Sequence, residues 1–173
     1  MKVTTRKLVF YICIICMCIS FKSFSQIGNR SLTCSFSKSD YKVVFDNRIN
    51  LSYYFVASRF SRTGAFVKYH WVTAKNSDAE TSHATSFGLA NNIYVLPFFG
   101  FSPSRFGLFV PIDIGFKTNI RTTISESDTF FRYAYGLGAQ FYLFKRTAVF
   151  GQVTNSSFRV WQPYYTAGIA FVW

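Results

Sequence analysis

Apolar side chains recur at every second position in three segments of the second half of the chain. The clearest segment covers residues 106–116, and the alternation returns over 131–143 and over the last nine residues. A period of two indicates β-strands that present one apolar face. The alternating positions are Phe106, Leu108, Val110, Ile112, Ile114 and Phe116; Phe131, Tyr133, Tyr135, Leu137, Ala139, Phe141 and Leu143; and Tyr165, Ala167, Ile169, Phe171 and Trp173.

The first half alternates less regularly but still predicts strands. They cover residues 31–37, 49–56, 65–73 and 85–99, although Asn91 interrupts the apolar face of the fourth and Pro97 weakens its end. A further strand is predicted over residues 147–154, where the two faces are not distinguishable. The total of eight is even, as a closed single-chain barrel requires. We therefore expect an all-β, antiparallel, up-and-down barrel.

Long polar connections and short basic turns alternate between these strands. The long connections cover about residues 38–48, 74–83, 118–128 and 155–161, and the short ones lie near 58–63, 101–105 and 145–146. Arg59, Arg62, Arg105, Lys145 and Arg146 belong to the short turns; Asp40, Asp46, Asp78, Glu80, Glu126 and Asp128 lie in or beside the long connections. Transmembrane barrels show this alternation, with short periplasmic turns and long outer loops. The basic turns are then expected to contact anionic lipid headgroups.

The first 25 residues are typical of a cleavable signal peptide. Lys2, Arg6 and Lys7 precede an apolar run over residues 8–19, and Ser23 and Ser25 supply the small residues before a cleavage site. The run is shorter than the roughly 20 residues of a membrane-spanning helix. We expect cleavage after Ser25, leaving residues 26–173 as one barrel domain. A retained anchor and a lipid-anchored N-terminus are the alternatives.

Composition and charge narrow the class further. Aromatic residues make up 21% of the chain and charged residues only 15%, and no apolar run beyond residue 26 approaches 18 residues. A membrane-spanning chain of this kind must therefore close into a barrel, because only closure pairs every backbone group. Without the four cations of the signal segment, 15 basic and 7 acidic residues remain, a net charge of +8. For an exported chain this favours outer-membrane lipid over nucleic acid as a partner.

The chain also resembles a known family. Residues 50–71 (NLSYYFVASRFSRTGAFVKYHW), 98–116 and 135–155 (YGLGAQFYLFKRTAVFGQVTN) resemble the strand–turn–strand units of the outer-membrane β-barrel domain proteins of Bacteroidetes, small porin-like or OmpX-like barrels. The C-terminal GIAFVW, with Ile169, Phe171 and Trp173 at alternate positions, is similar to the signal that the barrel-assembly machinery recognises. The resemblance covers nearly all of residues 31–173 and implies outer-membrane location, but no shared catalytic motif.

Two groups of side chains are candidate sites. Tyr and Trp favour the membrane interface, so we expect a lower aromatic girdle. Its members would be Tyr53, Tyr54, Phe98, Phe99, Tyr142, Phe144 and Trp173. Lys68, Asp113 and Arg132 fall on the predicted inner faces, where a charge needs a partner. We expect Asp113 to pair with Arg132 or Lys68 across the lumen, or alternatively to meet water near a mouth.

Catalytic and metal sites are weakly indicated. His70 and His83 have no Cys or His partner at metal-ligand spacing, and no cofactor motif is present. A loop would bring together Glu80, Ser82, His83 and Ser86. A His and a Ser of this kind could belong to a lipid-modifying enzyme, but such residues are common in polar loops. Eight strands enclose little more than their own side chains. We therefore expect a non-enzymatic structural or surface-interaction barrel. An outer-membrane lipid-modifying enzyme and a soluble exported ligand-binding barrel are the alternatives.

Overall fold

The computed structural model describes residues 30–41, 44–58, 60–74, 81–100, 105–120, 129–156 and 162–173. The predicted signal peptide and its cysteines lie outside these residues, as do Arg59, Asp78, Glu80, Glu126 and Asp128. The described residues form eight strands: β1 (Arg30–Tyr41), β2 (Val44–Ser58), β3 (Ser61–Ala74), β4 (Ser82–Tyr94), β5 (Phe106–Ile120), β6 (Thr129–Phe144), β7 (Thr147–Asn155) and β8 (Pro163–Val172). A short 3₁₀-helix covers Leu96–Phe99.

Each strand pairs antiparallel with the next, and β1 pairs with β8 to close the ring. At the seam, Arg30 N–H donates to the Trp173 carbonyl at 3.1 Å and Trp173 N–H donates back at 3.0 Å. We call the end of the barrel with this seam the terminal end and the opposite end the loop end. The prediction of a closed eight-stranded antiparallel barrel is confirmed.

Side chains alternate between a lipid-facing wall and an enclosed lumen. In β2, for example, Leu51 and Tyr53 are exposed on the wall, whereas Asn50 and Ser52 are buried inside. The alternation also assigns the faces of β7, which the sequence left open: Ala148 and Thr154 are buried inside, and Val149 is exposed. The β7 pattern was ambiguous because its inner face includes apolar residues.

The prediction of a long connection over residues 38–48 is wrong. Strands β1 and β2 run through this segment and are separated by only two residues, 42 and 43. Ser37, Ser39, Asp46 and Arg48 alternate as buried side chains of the two strands. Their polarity resembled that of a loop because the lumen, unlike a protein core, is lined by polar groups.

The fourth connection is longer than predicted. Strand β4 ends at Tyr94, and the next strand begins only at Phe106. Pro97 has no backbone N–H to donate to a sheet, and the chain forms the 3₁₀-helix at this point. Gly100 ends it with φ of 77°, and its N–H donates to the Pro97 carbonyl at 3.2 Å. Loop length is therefore a weaker marker of the two ends than the sequence suggested.

Two inward-facing glycines let neighbouring strands approach closely. Gly88 of β4 pairs with Gly115 of β5. A Cβ on Gly88 would lie 2.2 Å from the Ile114 carbonyl oxygen, and one on Gly115 would lie 2.1 Å from that of Phe87. Backbone atoms cannot move aside as a flexible side chain can, so only glycine fits at this pair.

Candidate functional site: the outer wall and the lumen

The outer wall carries a continuous apolar band around the barrel. Exposed aliphatic and aromatic residues occupy its middle on all eight strands, and Leu137 is 69% exposed. They include Leu32, Leu51, Val67, Leu89, Leu108, Leu137, Phe141, Val149, Ile169 and Phe171. Asn91, the polar exception of β4, donates a hydrogen bond to Thr63 Oγ1 on β3 at 3.2 Å. A surface of this kind is stable only against hydrocarbon.

Five of the predicted girdle residues are exposed near the terminal end. Tyr53 and Trp173 lie with ring centroids 6.3 Å apart, and Phe98, Phe99 and Phe144 are exposed. Phe98 also stacks on Phe60 with centroids 4.4 Å apart. These rings are placed where a membrane interface favours aromatic side chains.

Tyr54 and Tyr142 correct the predicted girdle, because both lie on the inner face. Tyr54 is only 8% exposed and lines the lumen. Tyr142 is bonded to Arg62 inside the barrel. Strand parity determines this placement: Tyr54 shares its face with Asn50 and Ser52, and a ring on that face cannot reach lipid.

A second aromatic row near the loop end was not predicted. On the outer wall, Trp71 lies 5.9 Å from Phe36 and 6.1 Å from Tyr69 between ring centroids. Phe116 contacts both Phe87 and Phe131 at 6.2 and 6.0 Å. The outward parity of these residues in β1 and β3–β6 was the available signal. The two rows give the band the aromatic borders typical of a membrane-spanning barrel.

Inside the barrel, the structure brings Asp113 to Lys68 and leaves Arg132 elsewhere. Lys68 Nζ donates a hydrogen bond to Asp113 Oδ2 and forms an ion pair with it between β3 and β5. Arg132 instead lies over the Tyr164 ring, with its guanidinium carbon 5.5 Å from the centroid. The luminal pairing thus has Lys68 as the partner of Asp113.

A larger cluster centred on Asp46 lies nearer the loop end. Arg48 Nη2 donates to Asp46 Oδ2 at 2.9 Å, and the Tyr164 hydroxyl donates to the same oxygen at 3.0 Å. The Arg48 guanidinium carbon also lies 3.2 Å from the Tyr164 ring centroid. All three residues are buried. The cluster joins β2 to β8 across the lumen, and it was missed because residues 38–48 were interpreted as a loop.

Ser86, His70 and Asp46 follow one another in the order of a hydrolase triad. The Ser86 hydroxyl lies 2.8 Å from His70 Nε2, whereas His70 Nδ1 lies 3.5 Å from Asp46 Oδ1 and has no hydrogen-bond partner among the described residues. His70 is 0% exposed and Ser86 only 2% exposed. A nucleophile must reach its substrate, and this serine is enclosed. We therefore interpret the three residues as a luminal support between β2, β3 and β4.

The loop cluster considered from sequence does not form as a unit. Ser82, His83 and Ser86 belong to β4, while Glu80 lies outside the described residues. Ser86 is buried in the lumen, whereas His83 is on the outer wall, stacked on Tyr69 and 2.8 Å from its hydroxyl. In the part of the chain that the structure describes, no three His, Cys, Asp or Glu side chains are grouped to hold a metal.

The terminal end of the lumen is closed by a polar layer. Arg62 Nη2 donates to the Tyr142 hydroxyl at 2.9 Å, and Gln140 Nε2 donates to the same oxygen at 3.2 Å. The Tyr94 hydroxyl in turn donates to Gln140 Oε1 at 3.0 Å. Arg62 was expected to contact headgroups from a short turn, but its parity directs it into the lumen. Arg105, Lys145 and Arg146 remain exposed at this end.

Between these layers the lumen is nearly filled. A cavity of about 40 Å³ lies along the serine-rich inner face of β1, which is room for only a few water molecules. Phe109 occupies the space that Gly138 leaves free, because a Cβ on Gly138 would lie 2.4 Å from the Phe109 ring. No helix among the described residues has the length and hydropathy to cross a membrane.

The fold is shared with small solved barrels. Ail, the attachment invasion locus protein of Yersinia pestis, is 14% identical, with a TM-score of 0.55 over 86% of this chain and 100% of its own. The N-terminal β-barrel domain of Pseudomonas aeruginosa OprF is 13% identical with a TM-score of 0.55, and Neisserial surface protein A is 8% identical with 0.58. Each of these two likenesses covers 86% of this chain and 100% of the other.

No protein-family model matches the chain, and no curated protein matches it. The likeness to the solved barrels shows the fold alone, and the Bacteroidetes resemblance stays a prediction. The location follows from that fold together with the exposed apolar band and its two aromatic rows, which require a bilayer around the barrel. The chain folds as a small closed transmembrane barrel of the outer-membrane type, and the bacterial outer membrane is its location.

Proposed function

We propose that this protein has a structural or surface-interaction role at the loop end of the barrel and is not a wide pore. The observation that carries the proposal is the filled lumen. Successive layers of paired side chains cross it, from the Asp46 cluster through Lys68 and Asp113 to the Arg62 layer. An open channel needs a continuous and wide aqueous path, and a luminal cavity of only about 40 Å³ among the described residues argues against one.

The two ends supply different contact chemistry. At the loop end, the connections after β3, β5 and β7 contain 7, 8 and 7 residues, enough for surface contacts whose partner we do not assign. At the terminal end, exposed Arg105, Lys145 and Arg146 would meet anionic headgroups of the inner leaflet, at about 1 kcal/mol per charge. Ile169, Phe171 and Trp173 are exposed on the outer face of the last strand, which supports their proposed recognition by the assembly machinery.

The alternative function is a lipid-modifying enzyme, because Ser86, His70 and Asp46 form a triad-like chain. The burial of these three residues in the lumen argues against catalysis. Comparing lipid A species from cells with and without the protein separates the two functions. The soluble ligand-binding alternative fits poorly, because such a barrel needs a water-compatible exterior and the apolar band is its opposite.

Conductance tests the proposed closed interior. The barrel, refolded into planar bilayers after its heat-shifted gel migration is verified, should show no steady ion current. As a matched control, the combined Arg62→Ser and Tyr142→Ser variant removes the terminal-end layer and should raise the frequency of current events. A large, steady current from the unaltered barrel would contradict the proposal.

A further inference from the structure

A small pocket opens at the loop end beside two inward-facing cations. Lys117 lies on β5 and Arg132 on β6, where Lys117 pairs with Phe130 and Arg132 pairs with Gly115 in the strand register. The pocket has a volume of about 210 Å³, several times the space that one water needs. It lies at the rim of the barrel, where inward-facing and outward-facing residues both line it: Lys117, Phe130, Phe131, Arg132, Tyr133, Ser156 and Tyr164.

The carboxylates of the described lumen are already occupied. Asp46 accepts hydrogen bonds from Arg48 and Tyr164, and Asp113 is paired with Lys68. Within the described residues, neither Lys117 nor Arg132 has a carboxylate oxygen within 4.0 Å. Each lies over an aromatic ring instead: Lys117 Nζ is 5.9 Å from the Phe130 centroid, and Arg132 lies over Tyr164. We call Lys117 and Arg132 the mouth cation pair.

Two neighbouring half-buried cations repel each other and are only partly hydrated. The surrounding wall of low dielectric constant strengthens the positive field of the two cations in the pocket, and this field attracts an anion from solution. The guanidinium fork and the ammonium group are the side chains best suited to phosphate-type oxygens. The Tyr164 hydroxyl is directed to Asp46, so the mouth cation pair itself must supply the main contacts.

We infer that the mouth cation pair binds a small tetrahedral oxyanion, a phosphate or sulfate group, at the loop end of the lumen. The pocket is large enough to hold one such group. The group could be a free anion or part of a lipid or sugar headgroup, and the chemistry of recognition is the same for both. This inference does not depend on what the loop end contacts.

Phosphate titration of the whole barrel in zwitterionic nanodiscs tests the inference. Inorganic phosphate replaces chloride at constant ionic strength while the Arg132 side-chain N–H resonance is followed by NMR, and calorimetry gives the affinity of each variant. Lys117→Gln and Arg132→Gln should each weaken binding at least about ten-fold, equivalent to 1.4 kcal/mol. Lys38→Gln is the matched control, because Lys38 is an exposed cation of β1 outside the pocket. It should change the affinity less than two-fold.

Further variants keep the result interpretable. If Arg132→Gln fails to fold, Arg132→Lys retains the charge and should weaken binding less than Lys117→Gln does. Nanodiscs that contain phosphatidic acid distinguish the two sources of the anion. If phosphatidic acid competes with free phosphate for the mouth cation pair, the ligand is a lipid headgroup; if it does not compete, the ligand is a free anion. Equal losses of phosphate affinity in Lys38→Gln and Lys117→Gln would overturn the inference. So would phosphate binding that appears only after Glu126→Gln and Asp128→Asn have removed the two acids that are close to Arg132 in the sequence.

Discussion

The outer wall and the lumen of this barrel are built from the same strands but follow different rules. On the wall, any apolar or aromatic side chain satisfies the surrounding hydrocarbon, and neighbours such as Leu51 and Val67 need no particular partner. In the lumen, the most deeply buried charged side chains depend on specific partners, as Asp46 depends on Arg48 and Tyr164. The wall therefore tolerates exchange within one chemical class, whereas the lumen tolerates little beyond its native pairs.

The largest effect should come from the most buried luminal pair. The side chains of Asp46 and Arg48 are 7% and 3% exposed. Asp46→Asn leaves the Arg48 charge buried without its anion, so we expect a loss of about 3–5 kcal/mol in the free energy of unfolding. Urea unfolding in micelles measures it. Asp40→Asn, an exposed position on β1, is the control and should cost no more than about 1 kcal/mol; equal losses would refute the distinction.

A charge placed on the wall should have the next largest effect. Leu51 lies at the middle of β2 and faces outward. Leu51→Arg should destabilise the barrel in lipid by about 2–4 kcal/mol, and Asn47→Arg, four residues closer to the loop end, by about 0–1 kcal/mol. Unfolding titrations in lipid vesicles check the depth dependence. A similar cost at both positions would show that the band is not centred in the membrane.

The ion pair of Lys68 and Asp113 should give a smaller effect, since these side chains are 14% and 10% exposed. Asp113→Asn removes the charged acceptor of Lys68, and we expect a loss of about 1–3 kcal/mol. Combining Lys68→Met with Asp113→Asn should recover part of that loss, because no unpaired cation remains. Additive losses in the double-variant cycle would mean that the two residues do not interact.

The triad-like chain should give no catalytic signal. A serine-reactive fluorophosphonate should leave Ser86 unlabelled in the folded barrel, because Ser86 and His70 are enclosed. Mass spectrometry of the treated protein checks this, with Ser86→Ala as the control. Labelling that is lost in Ser86→Ala and in His70→Gln would place an accessible nucleophile in the lumen and favour the enzymatic alternative.

The wall could be predicted from the sequence, whereas most of the lumen could not. A period of two fixes which residues share a face, and it placed Leu108 and Leu137 outward and Lys68 and Asp113 inward. Parity alone would also have placed Tyr54 inward, but its aromatic character suggested the girdle. Contacts such as Asp46 with Tyr164 join residues far apart in sequence. They depend on how the ring closes and on strand stagger, neither of which local spacing records.

The lipid-facing wall is tested most directly by the accessibility of positions along β1. Cys34 faces outward, and Thr33, Ser35 and Phe36 alternate around it. Spin labels at Cys34, and in a Cys34→Ser background at Thr33→Cys, Ser35→Cys and Phe36→Cys, report relaxation by oxygen and by a water-soluble nickel complex in lipid vesicles. If this wall faces hydrocarbon, oxygen relaxation should be high at positions 34 and 36 and low at positions 33 and 35. Uniform values, or nickel access at position 34, would contradict a wall that faces hydrocarbon.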